Sequence, residues 1–69
     1  MFESRLLTRL ISERMQNAIQ QVLKARFGSV PRDVTRLLRE ILDEERLSTL
    51  TVLAAMCPDM ETFREALLA

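Results

Sequence analysis

Apolar residues recur at helical spacing along nearly the whole chain, and the breaks fall at a few turn-forming residues. This pattern predicts four helices, over residues 2–27, about 31–42, 44 to about 56, and 60 to about 68. We therefore expect an all-α fold, a compact four-helix module with one long N-terminal helix, two medium helices and one short helix. The 69 residues suffice for a single helical domain.

The joint between the first two helices organises the chain. Gly28 is the only glycine, and glycine commonly follows the last residue of a helix because a left-handed backbone costs it little. Pro31 suits the first position of the next helix, where its missing N–H would have no helical partner anyway. We expect a tight structural corner at Gly28 and Pro31, with Phe27 filling its angle.

The apolar residues of the first helix do not stay on one face. At about 100° per residue, those in residues 2–11 and those in residues 15–23 fall in two sectors, rotated by about a third of a turn or more. A helix lying on a single core would keep its stripe in place. We expect residues 18–69 to form the core module and residues 1–17 to oligomerise. The predicted interface consists of Phe2, Leu6, Leu7, Leu10 and Ile11. The alternative is that the first three turns fray in solution.

The remaining helices have recognisable ends and one inward stripe each. Asp43 and Asp59 are predicted N-caps, and Pro58 ends the third helix because the residue before proline avoids helical backbone. Cys57 is expected to be a small buried residue, and Leu67 to share a face with Met60 and Phe63. The predicted core consists of Ala18, Ile19, Val22, Leu23, Phe27, Val34, Leu37, Leu38, Ile41, Leu47, Leu50, Leu53, Ala54 and Phe63.

Composition restricts how so small a domain is stabilised. The chain has one cysteine and no histidine, so it has no internal disulfide. A structural zinc site needs about four such ligands, so we expect no metal and no cofactor. Domains of this size often gain stability by association, which favours an oligomer, with a homodimer expected, or docking on a larger partner. No secretory signal or membrane-spanning run is visible, and we expect a cytoplasmic protein without membrane contact.

The net charge of zero conceals an asymmetry between the two halves. Residues 1–39 carry eight basic and three acidic side chains, a net charge of +5, and residues 40–69 carry two basic and seven acidic ones, a net charge of −5. The favoured interpretation is that the halves neutralise each other, within one chain or between two. The alternative is a basic surface for nucleic acid, although the interleaved aromatic residues and lysine clusters that would support direct binding are missing.

Residues suited to catalysis are scarce. Without histidine there is no Ser-His-Asp or Cys-His arrangement, and a single glycine cannot build a phosphate-binding loop. The acidic run Asp43-Glu44-Glu45 is interpreted as a capped helix start, since adjacent helical residues do not converge on one ion. Cys57 has acidic neighbours in sequence, whereas a reactive thiolate needs basic ones. We expect no catalytic residues and no enzymatic activity.

One group of residues matches a known pattern. Residues 23–28 read Leu-x-x-Arg-Phe-Gly and are followed by Ser29-Val30-Pro31, then by Leu47 and Leu50, and by Phe63 near the end. With these features, residues 18–68 resemble the small helical C-terminal domain, long described as of unknown function, of the bacterial recombination-promoting nuclease/putative transposase family. The catalytic domain of those nucleases lies upstream of this module and has no counterpart here, so none of its catalytic residues is carried over.

The resemblance implies a role in self-association and in control of a nuclease. Some members of that family are thought to make a separate short protein from an internal start, which inhibits the full-length nuclease. We therefore expect a non-enzymatic protein–protein interaction module that homo-oligomerises and regulates, by inhibition, a nuclease carrying the homologous C-terminal domain. One alternative is an excised domain whose only role is oligomerisation. Another is a nucleic-acid-binding accessory domain that uses the basic N-terminal half.

Overall fold

A computed structural model describes the backbone of residues 2–69 and the side chains of residue 7 and residues 9–69. Over these residues the chain forms four α-helices and no strand: α1 (Phe2–Phe27), α2 (Arg32–Arg39), α3 (Glu44–Met56) and α4 (Met60–Leu68). At 1.5 Å per residue, α1 is about 39 Å long, which matches the longest dimension of the molecule, 41 Å. The helix α1 packs mainly on α3, and α2 packs on α4. The predicted all-α class and the order of the four helices are confirmed.

Helices α3 and α4 begin at the predicted caps. The Asp43 carboxylate accepts a hydrogen bond from the Glu45 N–H, and the Asp59 carboxylate accepts one from the Thr62 N–H. The backbone N–H and the hydroxyl of Thr62 hold the pKa of Asp59 below its ordinary value, because both donate to the charged form. The helix α3 stops at Met56, directly before Cys57 and Pro58, as the proline predicts.

The corner between α1 and α2 has the predicted left-handed glycine. Gly28 has a φ of +91°, and its N–H donates to the Lys24 carbonyl at 2.8 Å, which closes the last turn of α1. Phe27 is partly buried against the core. The position predicted for Pro31 is wrong by one residue: Pro31 has a ψ of 150° and is the N-cap of α2, with Arg32 as the first helical residue.

Helix α2 is shorter than predicted and ends at Arg39 instead of Leu42. The Gln16 side-chain amide donates to the Ile41 carbonyl at 2.7 Å, and the Ser12 hydroxyl donates to the Leu42 carbonyl at 2.8 Å. These donors come from α1 and satisfy carbonyls beyond the last helical residue, so the backbone leaves the helix there. The extended backbone of the Asp43 N-cap, with a ψ of 116°, also excludes a continuous helix through this joint.

The core lies between all four helices and contains most of the predicted residues. The fully buried apolar residues are Ile19, Leu23, Val34, Leu38, Leu47, Leu50, Ala54, Cys57, Phe63 and Leu67. Val22, Phe27, Leu37, Ile41 and Leu53 are partly buried and pack against them. The prediction for Ala18 is wrong, since its side chain is exposed. Because Ile19 faces the core, its neighbour Ala18 is turned by about 100° toward the outer side of α1.

Arginines from other helices cap the C-termini of α3 and α4. Neither helix has a basic residue in its own last turn. Arg26 of α1 donates to the Ala54 carbonyl at 2.7 Å, and Arg46 of α3 donates to the Leu67 carbonyl at 2.9 Å. The last carbonyls of a helix have no intrahelical donor and carry a partial negative charge, so a guanidinium both pairs with them and stabilises the helix dipole.

The two halves pack together through α1 and α3, but among the described side chains no ion pair joins a basic residue of the first half to an acidic residue of the second. The one ion pair that joins the halves there links Arg64 to Asp33 by two hydrogen bonds, of 2.8 and 3.2 Å. It therefore pairs a carboxylate of the basic half with a guanidinium of the acidic half. The Arg64 guanidinium lowers the pKa of Asp33 because it donates to the charged carboxylate. Most of the charge asymmetry remains on the surface.

The left-handed corner predicts the effect of replacing Gly28. Beyond the adjacent residues, a Cβ added at this position would meet no heavy atom within 4 Å, so the cost of Gly28→Val comes from the backbone conformation alone. We expect a loss of about 1–2 kcal/mol in the free energy of unfolding, measured by urea denaturation. Gly28→Asn is the matched control and should cost clearly less, because asparagine tolerates left-handed backbone. Equal losses for the two variants would contradict this account.

The hydrogen bond from Arg26 to the end of α3 predicts that replacing Arg26 lowers the free energy of unfolding more than replacing Lys24, which lies in the same turn of α1. Arg26→Met keeps the aliphatic stem and leaves the Ala54 carbonyl without its charged donor, and we expect a loss of about 1–2 kcal/mol in unfolding free energy. Lys24→Met, which removes an exposed lysine, should change it by less than about 0.5 kcal/mol. Urea denaturation of the two variants side by side measures the difference, and similar values would refute the capping role.

Candidate functional site

The long helix α1 has two opposite faces with different roles. Ser12, Gln16, Ile19 and Leu23 follow the spacing i, i+4, i+7 and i+11, and all four are buried. The described apolar residues near the N-terminus lie, on average, about 150° around the helix from this buried face. Among the described side chains of α1, burial thus extends as far toward the N-terminus as Ser12, six residues before the expected start of the core module.

The outer face of α1 carries the first candidate surface, here called the N-terminal apolar surface. It consists of Leu7, Leu10 and Ile11, which are 56%, 49% and 42% exposed. These three residues and Arg14 surround a shallow depression. Of the five predicted interface residues, the structure thus brings three together on an exposed face. Phe2 and Leu6 belong to the same helix, but their side chains lie outside the described residues.

Ser12 and Gln16 are structural residues that reasoning from apolar positions missed. They occupy the positions where the buried stripe through Ile19 and Leu23 continues toward the N-terminus, seven and three residues before Ile19. That spacing alone indicates that Ser12 and Gln16 lie on the buried face of α1. Their polar side chains argue against burial, because a buried polar residue is expected only where it has a hydrogen-bond partner. The partners are carbonyls of the segment after α2.

The second candidate surface is a polar groove between α1 and α2. Its polar lining residues are Asn17, Gln20, Gln21, Lys24, Ser29 and Thr35. On α2, Arg32, Arg36 and Arg39 form an exposed stripe, here called the arginine stripe, at the spacing i, i+4 and i+7. Thr35 is three residues after Arg32 and four before Arg39. Thr35, the α2 residue that lines the groove, therefore lies next to the arginine stripe on the surface of α2.

The thiol of Cys57 has a neighbour that the sequence did not predict. Arg26 Nη1 lies 3.7 Å from its Sγ, so the thiol has a basic neighbour in space in addition to the acidic residues that follow it in sequence. Nevertheless Cys57 is only 2% exposed and belongs to the core. Both the thiol and the guanidinium make contact with the carbonyl of Ala54 at the end of α3. The geometry supports the predicted structural role.

Two kinds of feature are absent from the part of the chain that the structure describes. Within it, no three His, Cys, Asp or Glu residues are grouped so that they could hold a metal ion. Asp43 is the N-cap of α3, and Glu44 and Glu45 lie in its first turn. None of the described helices combines the length and the apolar character needed to cross a lipid bilayer.

Comparisons with known proteins do not identify the chain's relatives. No protein-family model matches the chain, and neither a curated protein nor a solved structure matches it.

The N-terminal apolar surface predicts an effect of a single charge on association. We expect the parent protein to form a dimer at tens of micromolar and Ile11→Asp to be a monomer, because the carboxylate would be buried without a partner. Multi-angle light scattering measures both masses. Val52→Asp is the matched control: it changes a 59% exposed apolar residue of α3, outside this surface, and should leave the dimer intact. A monomeric parent protein would contradict the prediction.

Proposed function

We propose that this chain is a non-enzymatic protein–protein interaction module that forms homodimers through the N-terminal apolar surface. The single observation that carries the proposal is the exposure of Leu7, Leu10 and Ile11 on the face of α1 opposite the core. A helix that already contacts its own core on one face has no structural need for a second apolar face. Clustered exposed apolar residues commonly mark contact sites for proteins.

A second copy of the chain is the proposed occupant of this surface. The three described residues are about half exposed, so covering them would contribute about 2–5 kcal/mol per copy, or about 4–10 kcal/mol for the two copies together. Association costs about 4–15 kcal/mol, so this gain alone does not ensure a stable dimer and further residues are needed. The proposal therefore includes Phe2 and Leu6 in the same interface. An interface of this kind is isologous, in that each copy presents the same residues to the other.

The regulatory part of the proposal rests on the resemblance to the nuclease family. We infer that the partner in the cell is a larger nuclease with a homologous C-terminal domain, which presents the same apolar surface. A short copy of an isologous interface competes with the full-length copy by mass action, and such a competitor needs no active site. The proposed activity is therefore inhibition of the nuclease by formation of mixed pairs.

Co-expression with the full-length nuclease tests the inhibitory role. We expect the chain to relieve the toxicity of the nuclease in growing cells, because mixed pairs replace pairs of two nuclease copies. Ile11→Asp should abolish this protection, whereas Val52→Asp should retain it. The readout is colony survival, and immunoblots establish equal amounts of the three short chains.

Two outcomes would refute parts of the proposal separately. Undiminished toxicity in the presence of well-expressed parent chain would remove the inhibitory role and leave the homodimer standing. Protection that persists with Ile11→Asp would show that inhibition does not use the N-terminal apolar surface.

A further inference from the structure

We propose that the polar groove and the arginine stripe together bind the phosphate backbone of double-stranded nucleic acid. This surface is formed by α2, by residues 17–24 of α1 and by residues 28–30 of the corner between the two helices, so it does not overlap with the N-terminal apolar surface. The inference is thus independent of the proposed dimer.

The arginine stripe is a concentrated positive charge without a partner carboxylate in the described structure. Arg32, Arg36 and Arg39 are exposed, and none of them forms an ion pair with a carboxylate among residues 9–69. They lie on the side of α2 away from the buried residues Val34 and Leu38. Since the chain has no net charge, any affinity for a polyanion must come from such a local concentration.

The residue types in the groove match those that contact phosphates and sugars in nucleic-acid complexes. Such contacts come from arginine and lysine, from Ser, Thr, Asn and Gln side chains, and from backbone N–H groups. Lys24 adds a positive charge to the groove itself, while Asn17, Gln21, Ser29 and Thr35 supply amides and hydroxyls. None of the described lining residues is acidic. A protein-binding site would instead have an apolar centre.

Gln20 gives an independent indication of a missing hydrogen-bond acceptor. Its side-chain nitrogen Nε2 is buried and has no hydrogen-bond partner, although the residue lines the groove. A buried donor without a partner is costly. The terminal torsion of glutamine is soft, so a small rotation would turn the amide toward a phosphate or sugar oxygen in the groove.

The arrangement favours a duplex over a single strand. Single strands are held largely by stacking of bases on aromatic side chains. Among the described side chains, Phe63 is fully buried and Phe27 is partly buried, with its ring 4.8 Å from the guanidinium carbon of Arg26. Neither ring lines the groove. By contrast, α2 is about 12 Å long and its arginine stripe suits the regular phosphates of a duplex.

Fluorescence anisotropy with a labelled duplex DNA of about 20 base pairs and mixed sequence tests the inference. Four cationic contacts predict a slope of about −3 to −4 for the logarithm of affinity against the logarithm of salt, hence a loss of about a hundredfold between 50 and 200 mM salt. Replacing Arg32, Arg36 and Arg39 together by glutamine should reduce this slope by about 2.7.

Two variants that each remove one arginine distinguish binding at this surface from non-specific electrostatic attraction to the whole protein. Arg36→Gln should weaken binding about tenfold, while Arg9→Gln removes the same charge from an exposed position of α1 outside the groove and should change it less than about twofold.

Gln20→Met keeps the side-chain length and removes the amide. It should weaken binding severalfold without lowering the melting temperature, a result that a purely structural role would not give.

Three results would overturn the inference: no binding of the duplex at low salt, equal losses for Arg36→Gln and Arg9→Gln, or poly-L-glutamate of matched charge competing as well as unlabelled duplex. The last result would assign the surface to an acidic protein partner.

Discussion

The carbonyl groups at helix C-termini impose the constraint on which this structure depends. The last carbonyls of a helix lack intrahelical donors, and in a domain this small several of them lie close to the core. The chain satisfies them from other helices. Ser12 and Gln16 of α1 donate to the segment after α2, Arg26 of α1 to the end of α3, and Arg46 of α3 to the end of α4. Helices α3 and α4 have no basic residue in their own last turn, and each receives an arginine from another helix. Helix α2 has Arg36 and Arg39 in its last turn, and the segment after it receives neutral donors.

The hydrogen bonds that α1 donates to other segments explain why its buried face is polar at the start and apolar further along. The buried face begins with two polar residues, Ser12 and Gln16, and becomes apolar at Ile19 and Leu23. Polar residues are needed at the start because the facing backbone presents carbonyls there. The apolar residues Leu7, Leu10 and Ile11 are consequently not part of the core, and their exposure is the feature on which the proposed association with a second copy rests.

The arginines fall into two groups, those with partners within the fold and those on the outer side of α2. Arg26, Arg46 and Arg64 bind carbonyls or carboxylates within the fold, whereas the arginine stripe of α2 contacts none of the carboxylates that the structure describes. Among the described residues, the separation of charge along the chain is therefore not neutralised by ion pairs. It leaves α2 basic on its outer side, next to a groove of amides and hydroxyls, and this combination is the basis of the proposed binding of nucleic acid.

The sequence by itself determined the four helices, the left-handed corner at Gly28 and the N-caps at Asp43 and Asp59, because each depends on residues within one turn of chain. It also indicated that Leu7, Leu10 and Ile11 face away from the core. Only the tertiary structure decided that α2 ends at Arg39, that Ala18 faces outward and that Ser12 and Gln16 are buried. The end of α2 and the burial of Ser12 and Gln16 depend on donors and acceptors that are 25 to 30 residues apart in sequence, and the position of Ala18 depends on which face of α1 packs on the other helices. Local spacing carries no information on such distant partners, and a polar residue is recognised as part of a core only when its partner is known.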